Sequence, residues 1–316
     1  MRVLVMGGTR FIGVALTKLL VARGLEVVLF NRGNRPAPLE GVTTIVGDRT
    51  DPQQLKEKLA RESFDVIFDN NGRELSDTQP LAEIFRGRIR HFVYMSSAGV
   101  YKESEILPYF ETDATDPQSR HRGKRDTEEY LSAAYAEHGF PFTALRPVYI
   151  YGPQNYNDVE AWFFDRIVRD RPLPIPGHGQ WITQLGHVED LAAAMAAVMQ
   201  EKRAIGEIYN ISDLRYVTYQ GLARACAIAA GKSPDHLQFC FYNPKDFDFG
   251  KQKAFPFRRQ HFFASIDKAM SDLDWEPEYD LVSGLETSFR QDYLLSGRHQ
   301  AALDFSLDDL ILQRKG

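Results

Sequence analysis

The chain opens with the five-residue apolar run Arg2-Val-Leu-Val-Met. It then turns through Gly7-Gly8-Thr9-Arg10 and continues as Phe11-Ile12-Gly13-Val-Ala-Leu-Thr-Lys-Leu-Leu. The run predicts a strand over 2–6 and the apolar periodicity after it a helix over 11–23. Gly7 permits the bend between them, and Gly13 lets the helix pack close on the strand. A strand passing through so tight a turn into a helix commits the chain beyond it to a crossover and a parallel neighbour.

The rest of the first half keeps that rhythm. Apolar strands are predicted at 25–30, 42–46, 64–68, 91–95 and 142–146, with helices near 52–62 and 120–138. Strands alternating with helices, and apolar nearly throughout, predict an α/β chain with a doubly wound parallel Rossmann sheet covered on both faces. After Gly152 the rhythm breaks at Arg-Pro-Leu-Pro-Ile-Pro-Gly-His-Gly-Gln (171–180). A helix at 188–200, a strand at 207–211, a helix at 218–230 and an irregular segment at 241–263 come next. The expected division is 1–152 as a dinucleotide-binding-type domain. Residues 153–316 form a smaller α+β lobe, with some of its elements returning to the sheet.

A length of 316 residues suits that arrangement, and a net charge of −5 gives no global pull toward nucleic acid or membrane. Any polyanion site must be a local patch. Cys226 and Cys240 read as incidental thiols, and no apolar run is long enough to span a bilayer. The first strand begins at Arg2, leaving no room for a signal or transit peptide, so the expected compartment is a reducing, cytoplasmic one.

A helix that starts at a glycine turn offers backbone N–H groups and a positive dipole end to an anion. Gly7, Gly8, Thr9, Arg10, Phe11, Ile12 and Gly13 are therefore the candidate dinucleotide turn. Arg10 stands where a third glycine would let backbone approach a pyrophosphate. It either swings aside and pairs with a phosphate or obstructs a dinucleotide. The second strand ends in Asn31 and Arg32, with Arg35 close by. Arginine in place of an acid there favours the 2′-phosphate of NADP over NAD. Asp48 and Arg49 are candidates to flank an adenine. Asn70, Asn71 and Gly72 end the fourth strand at the carboxyl edge, either lining a ligand or simply making a turn.

Tyr94-Met-Ser-Ser-Ala-Gly-Val-Tyr101 resembles the serine-bearing segment of extended short-chain dehydrogenases/reductases, with Ser97 at the matching serine. That family then needs a tyrosine followed four residues later by a lysine, which lowers the tyrosine pKa. Here Lys124 is present, Glu128 stands where the family's helix often has an acid, and Arg120 replaces the tyrosine. An arginine stays protonated and cannot exchange the proton. Ser97 and Lys124 are remnants of a broken unit. Arg146-Pro147-Val-Tyr149-Ile-Tyr-Gly-Pro resembles the family's segment near the nicotinamide, which makes Pro147 and Tyr149 further cofactor candidates.

A narrower resemblance rests on Gly-Gly-Thr-Arg-Phe-Ile-Gly, Ser119-Arg-His-Arg-Gly-Lys124, Trp162-Phe-Phe-Asp-Arg-Ile and Gln184-Leu-Gly-His-Val-Glu-Asp-Leu-Ala. Tyr242-Asn-Pro-Lys-Asp-Phe-Asp-Phe-Gly-Lys-Gln-Lys-Ala-Phe-Pro-Phe-Arg-Arg and the tail Asp304-Phe-Ser-Leu-Asp-Asp-Leu-Ile-Leu complete it. Together they resemble the chloroplast stem-loop-binding proteins and their cyanobacterial relatives, from residue 2 to about residue 312. The resemblance implies RNA hairpins as partners, and association with ribosomes or the transcription machinery. It also implies self-association or pairing with a paralogue, and Mg-dependent endoribonuclease activity in some members. No nuclease residue carries over to this sequence.

RNA needs cations for phosphates and flat side chains for exposed bases. Lys245, Lys251, Lys253, Arg258 and Arg259 alternate with Phe247, Phe249, Phe255, Phe257 and Phe262, either as such a surface or as anchors of a long loop. Arg120, Arg122, Lys124 and Arg125 form a second basic cluster at a helix start, where positive charge opposes the dipole. Arg86-Gly-Arg-Ile-Arg-His91 is a third. Asp48, Asp69, Asp158, Glu189, Asp190 and His187 are metal candidates by residue type only. Three readings remain. The first is an RNA-binding protein, with or without weak Mg-dependent nuclease activity. The second is an NADP-dependent nucleotide-sugar epimerase, dehydratase or reductase with unusual acid/base groups. The third is a non-catalytic scaffold that senses cofactor.

Overall fold

A computed structural model describes residues 1–315. In chain order, the first half contains β1 (Arg2–Met6), α1 (Ile12–Ala22), β2 (Glu26–Asn31), β3 (Thr43–Val46), α2 (Pro52–Leu59), β4 (Val66–Asp69), α3 (Leu75–Phe85), β5 (His91–Met95), α4 (Arg122–His138) and β6 (Phe142–Pro147). The second contains β7 (Tyr149–Tyr151), α5 (Glu160–Ile167), β8 (Leu173–Pro176), β9 (Ile182–Thr183), β10 (Leu185–His187), α6 (Val188–Val198), β11 (Glu207–Ile211), β12 (Val217–Thr218), α7 (Tyr219–Ala229), β13 (Phe239–Tyr242), α8 (Asp267–Leu273), α9 (Leu281–Ser288) and α10 (Ser306–Lys315).

The chain divides into two compact units. The first comprises Met1–Val148, Val188–Ser212 and Ala264–Glu276; the second comprises Tyr149–His187, Asp213–Phe263 and Pro277–Gly316. Unit 1 is built on a seven-stranded sheet in the order β11-β6-β5-β4-β1-β2-β3. Every pairing in it is parallel, from Val3↔Val27 on one side of β1 to Leu145↔Tyr209 at the far edge. This is the doubly wound α/β fold. Its strands are buried on both faces; on one, Leu4, Met6, Val28, Ile67, Phe92 and Phe142 share a core cluster with Leu55, Leu81, Phe85 and Leu131 of α2, α3 and α4, and Val3, Val5, Val27 and Leu29 at the alternate positions are buried too.

Local signals explain most boundaries. Asp51 caps α2 by accepting from the N–H groups of Gln53 and Gln54, with Pro52 at the first helical position. Helix α4 ends at Gly139 in the left-handed conformation (φ 67°) and begins at Arg122 rather than 120. The late start has a cause in Ser119. Its hydroxyl donates to Gly99 O and accepts from His121 N–H, which folds 119–122 into a turn of its own. Helix α3 was not among the predicted elements. Pro80 lies inside it and breaks the helical signal, while Thr78, Leu81, Ala82 and Phe85 are buried and hold it in place.

Unit 2 has its own core, in which Trp162, Phe163 and Phe164 of α5 pack with Tyr219, Leu222 and Cys226 of α7 and Leu285 of α9. The segment expected to be irregular opens with β13, which pairs in parallel with β8. Beyond it the chain is held by aromatic rings. Phe255 and Phe257 lie in the unit 2 core, Phe255 edge-on to Trp162 and Tyr219, Phe257 tilted to Phe163 and stacked on Tyr219. Among the described residues no helix is long and apolar enough to cross a membrane.

Candidate functional site

The loops that follow the strands of unit 1 at their carboxyl ends carry most of the candidate residues. Gly7 (φ +101°) and Gly8 (φ +87°) make the turn after β1 in conformations that side chains resist. A Cβ on Gly8 would lie 2.5 Å from Leu29, and one on Gly13 would lie 2.7 Å from the Gly8 backbone. Gly13 therefore serves the closeness of helix and turn more than that of helix and strand. Helix α1 has no side-chain cap, no acid in its first turn, and Phe11 at its cap with φ 39°. Its positive end is uncompensated, as an anion site requires. Thr9 and Ile12 are half-buried beside it, and Arg10 is exposed.

Asn31 accepts from Gly33 N–H through Oδ1, while its Nδ2 is buried with no hydrogen-bond partner among the described residues. Arg32 and Arg35 are exposed. Asp48 folds back on Thr50, whose N–H and hydroxyl it accepts, which lowers its pKa.

Arg49 does not flank an adenine; it is buried. Its Nη1 donates to Asp69 Oδ1 at 2.5 Å and to Asn71 Oδ1. Its Nη2 donates to Asp69 Oδ2 at 3.0 Å and to Asp77 O at 2.8 Å. Asp69, fully buried, also accepts from Thr78 Oγ1 (2.6 Å) and Gly72 N–H (3.1 Å). Burial opposes its charge, yet the Arg49 guanidinium and these donors hold its carboxyl below the usual range. Asp69 is thereby spent on Arg49 rather than offered to a metal. A Cβ on Gly72 would lie 2.4 Å from Thr78 Oγ1, so only glycine lets the chain wrap this ion pair. The half-buried Asn70 and exposed Asn71 are thus set by a buried charge network beneath them.

Lys124 is turned into the same network. Its Nζ donates to Gly72 O at 3.1 Å and to Met95 O, and lies 5.4 Å from the Tyr94 ring centre. Burial pushes its pKa down to about 8. Lys124 is therefore not part of a basic surface: its ammonium points at strand ends, not at solvent. Ser97 accepts from Gly99 N–H and caps the short turn at 98–100. Arg120, exposed and just outside α4, donates from Nε to His121 Nε2 at 3.0 Å. Behind it Glu128 and Arg146, each 4% exposed in the side chain, form a two-pronged ion pair at 2.9 and 2.7 Å. The acid of the helix thus has a structural partner.

Of the helix-start cluster, Arg120 and Arg122 are exposed, whereas Arg125 is partnered by Thr115, Asp126 and Glu129. Arg73, which sequence reasoning passed over, joins them. A Cβ on Gly123 would lie 2.5 Å from Arg73 O, so the turn after β4 abuts the start of α4. The signal was there: Arg73 directly follows the Asn70-Asn71-Gly72 turn already singled out. The 86–91 cluster lies elsewhere, at the amino end of β5. Arg88 is bound to Ile84 O and Glu62 O, Arg90 pairs with Asp65, and His91 is buried against Thr143 with its pKa pushed down to about 4 by burial.

In unit 2, Lys245, Lys251 and Arg259 are exposed, Lys253 donates to Pro256 O, and Arg258 sits over the Phe262 ring at 4.3 Å. The phenylalanines between them are not a stacking surface. Phe255, Phe257 and Phe262 are buried, and Phe247 and Phe249 stack on each other against Tyr242. The alternation of sequence sends the rings inward and the charges outward. Tyr149 is half-buried among Phe257 and Phe262 and accepts from Arg258 N–H. Pro147 is buried at the end of β6 opposite Ile211. Asp158 pairs with Arg298, and no group of three or more His, Cys, Asp or Glu side chains among the described residues could hold a metal ion.

Comparison with known proteins agrees with this frame. The profile of the family described as NAD dependent epimerase/dehydratase matches residues 3–212. The chloroplast stem-loop binding protein of 41 kDa b from Arabidopsis thaliana is 48% identical over 99% of this chain and 85% of its own. A 2'-dehydrokanamycin reductase from Streptomyces kanamyceticus is 26% identical over 73% of this chain and 67% of its own. Among solved structures, the UDP-glucose 4-epimerase of Thermotoga maritima with UDP-glucose superposes with a TM-score of 0.78. It is 22% identical and covers 94% of this chain and all (100%) of that one. The Thermus thermophilus UDP-glucose 4-epimerase complexed with NAD gives 0.73 at 22% identity, covering 96% and 100%. At that identity these structures speak to the fold alone. By profile and by the 48% relative, the chain belongs to the NAD dependent epimerase/dehydratase family and, within it, to the branch of the chloroplast stem-loop binding proteins.

Proposed function

We propose that this protein binds RNA hairpins through phosphate contacts at the carboxyl edge of the unit 1 sheet, on a fold whose proton-transfer residue is gone. The observation that carries the reading is the character of that edge. Exposed arginines 10, 32, 35, 73, 120 and 122 stand on the loops after β1, β2 and β4 and at the start of α4. Guanidinium groups suit phosphate oxygens, and an acidic chain has no general reason to gather them there. The name of the 48% identical Arabidopsis protein supports the same partner.

The glycine turn also fits a dinucleotide pyrophosphate, by its two positive-φ glycines and the uncapped start of α1. Gly7, Gly8 and Gly13 would admit it, and Asn31, Arg32 and Arg35 would meet the ribose end, with NADP preferred to NAD. A bound nicotinamide would supply hydride exchange. Where the family has its proton-transferring tyrosine this chain has Arg120, and Lys124 holds two backbone carbonyls. The nucleotide-sugar reading is therefore second, and a cofactor-sensing role is compatible with the first. We assign no endoribonuclease step and no Mg ligands. Association with ribosomes or the transcription machinery, and pairing with a second copy or a paralogue, belong to the same proposal.

The test is fluorescence anisotropy of a labelled RNA hairpin across a salt series, with NADP(H) as competitor. The expected result is affinity that falls steeply with salt. Each of Arg10→Ala, Arg120→Ala and Arg122→Ala should reduce the log–log slope by about one. Competition by NADP(H) would locate part of the RNA site at the glycine turn. Absence of RNA binding, alongside saturable NADP binding, would overturn the reading in favour of a sugar-modifying enzyme.

A further inference from the structure

Sequence reasoning sought base-stacking rings in the 241–263 loop, and the structure buries them. The exposed aromatic side chains among the described residues are Phe110, Tyr135, Tyr156 and Tyr216. Charge separates them. Phe110 precedes Glu111 and Asp113, Tyr156 precedes Asp158, and Tyr135 lies against Gly206 with Glu137 close by in sequence. Tyr216 differs from them: the acid nearest it in sequence, Asp213, is buried, and its neighbour Arg215 is exposed. Tyr216 is 46% exposed, and its ring lies 4.5 Å from that of Phe263, tilted by 45°. Phe263 in turn comes after Arg258, Arg259 and His261 in the same short stretch.

The two rings rest on a fixed base within unit 2. Val217 and Thr218, directly after Tyr216, pair antiparallel with Thr183 and Ile182. On the other side of Ile182, Phe262 N–H donates to Ile182 O at 2.8 Å, and Ile182 N–H donates to His261 Nδ1 at 3.0 Å. Three chain segments therefore hold Tyr216 and Phe263 side by side before anything binds. Arg215 is exposed, makes no ion pair among the described residues, and has its own N–H turned back onto Asp213 Oδ1.

A half-exposed ring pair beside the exposed Arg215 suits an unpaired nucleobase with its adjoining phosphate. Aromatic faces stack any base, and arginine serves either as a second stacking plane or as a phosphate partner. Preordering keeps the entropic cost of capture low. We infer that Tyr216 and Phe263, with Arg215, form a platform for unpaired bases of RNA. This rests on the RNA reading above and extends it to unpaired bases, taken by a surface within unit 2.

The experiment compares two labelled RNAs, a hairpin with an unpaired loop and a blunt duplex of the same stem. Each is titrated with wild-type protein and with the Tyr216→Ala and Tyr216→Phe variants. Tyr216→Ala should weaken hairpin binding by about 5- to 100-fold, the range that removal of a stacked base contact gives, and leave duplex binding unchanged. Tyr216→Phe should retain hairpin affinity. A 2-aminopurine placed in the loop should lose fluorescence on binding wild-type protein and Tyr216→Phe but not Tyr216→Ala. Equal hairpin affinity for wild type and Tyr216→Ala would overturn the platform while leaving the RNA reading in place. Failure of the wild type to bind either RNA would overturn both.

Discussion

Asp69→Asn is the substitution whose cost can be worked out most directly. The wild-type carboxylate, with no exposure, answers both Nη atoms of Arg49 at 2.5 and 3.0 Å, Thr78 Oγ1 at 2.6 Å and Gly72 N–H at 3.1 Å. An asparagine of the same shape keeps one acceptor and turns an NH2 toward one of these donors. It also leaves the Arg49 guanidinium buried without a counter-charge. Breaking a buried ion pair from one side costs about 3–5 kcal/mol, a large share of the roughly 5–15 kcal/mol that holds a domain folded. The loss should show as a lower urea midpoint. Because the chain has two compact units, it should be read by hydrogen exchange resolved by peptide. Strand β4 and helix α3 should exchange faster, while α7 of unit 2 should not. The double variant Arg49→Met/Asp69→Leu, which removes both charges, should recover most of the loss. A penalty for Asp69→Asn below about 1 kcal/mol, with unchanged exchange in 66–85, would refute the structural role of Arg49 and return it to the ligand-facing residues.

Two further outcomes are expected. Glu160 is buried in unit 2, accepts from Gly152 N–H, Asn155 and Ser288, and is raised by burial from 4.5 to about 7. A carboxyl with a raised folded pKa stabilises fully below its unfolded value, and that stability is lost as pH rises toward the folded one. Glu160→Gln should therefore gain on wild type between about pH 4.5 and 7 by up to about 3 kcal/mol, measured by thermal melts across pH. A difference that stays flat with pH would count against it. The double variant Arg10→Gly/Arg120→Tyr should bind NADP more tightly and RNA more weakly, read by intrinsic fluorescence and anisotropy. Unchanged RNA affinity would remove these two arginines from the RNA site.

The parallel sheet was legible because each of its early strands is a short apolar run bounded by turn residues, and the glycine turn because its steric demand is local. Helix α3 was hidden by Pro80, whose penalty the burial of Leu81 and Phe85 outweighs. At the site, the role of Arg49 was invisible. A cation after a strand reads alike whether it faces a ligand or a buried carboxylate 20 residues away, and Asp69 lies on the next strand. The Phe-rich loop stayed open between a surface and a set of anchors because alternation of rings and charges has two solutions, and only the unit 2 core selects between them. Tyr216 left no pattern at all. Its significance comes from Phe263, 47 residues later, brought beside it through a strand of two residues.

The chain leaves unit 1 after Val148 and supplies its last sheet strand only at Glu207–Ile211. During synthesis, six strands can assemble while β6 still shows a bare rim of N–H and C=O groups. At about 5–20 residues per second, the segment up to Ile211 takes on the order of 3–13 s to arrive. Through that interval the nascent sheet has an adhesive edge. Arg146, one of the residues on that open strand, is already paired with Glu128 of α4. Charged residues on an edge strand discourage a wrong strand from docking, so the Glu128–Arg146 pair is placed where an unfinished sheet needs such protection.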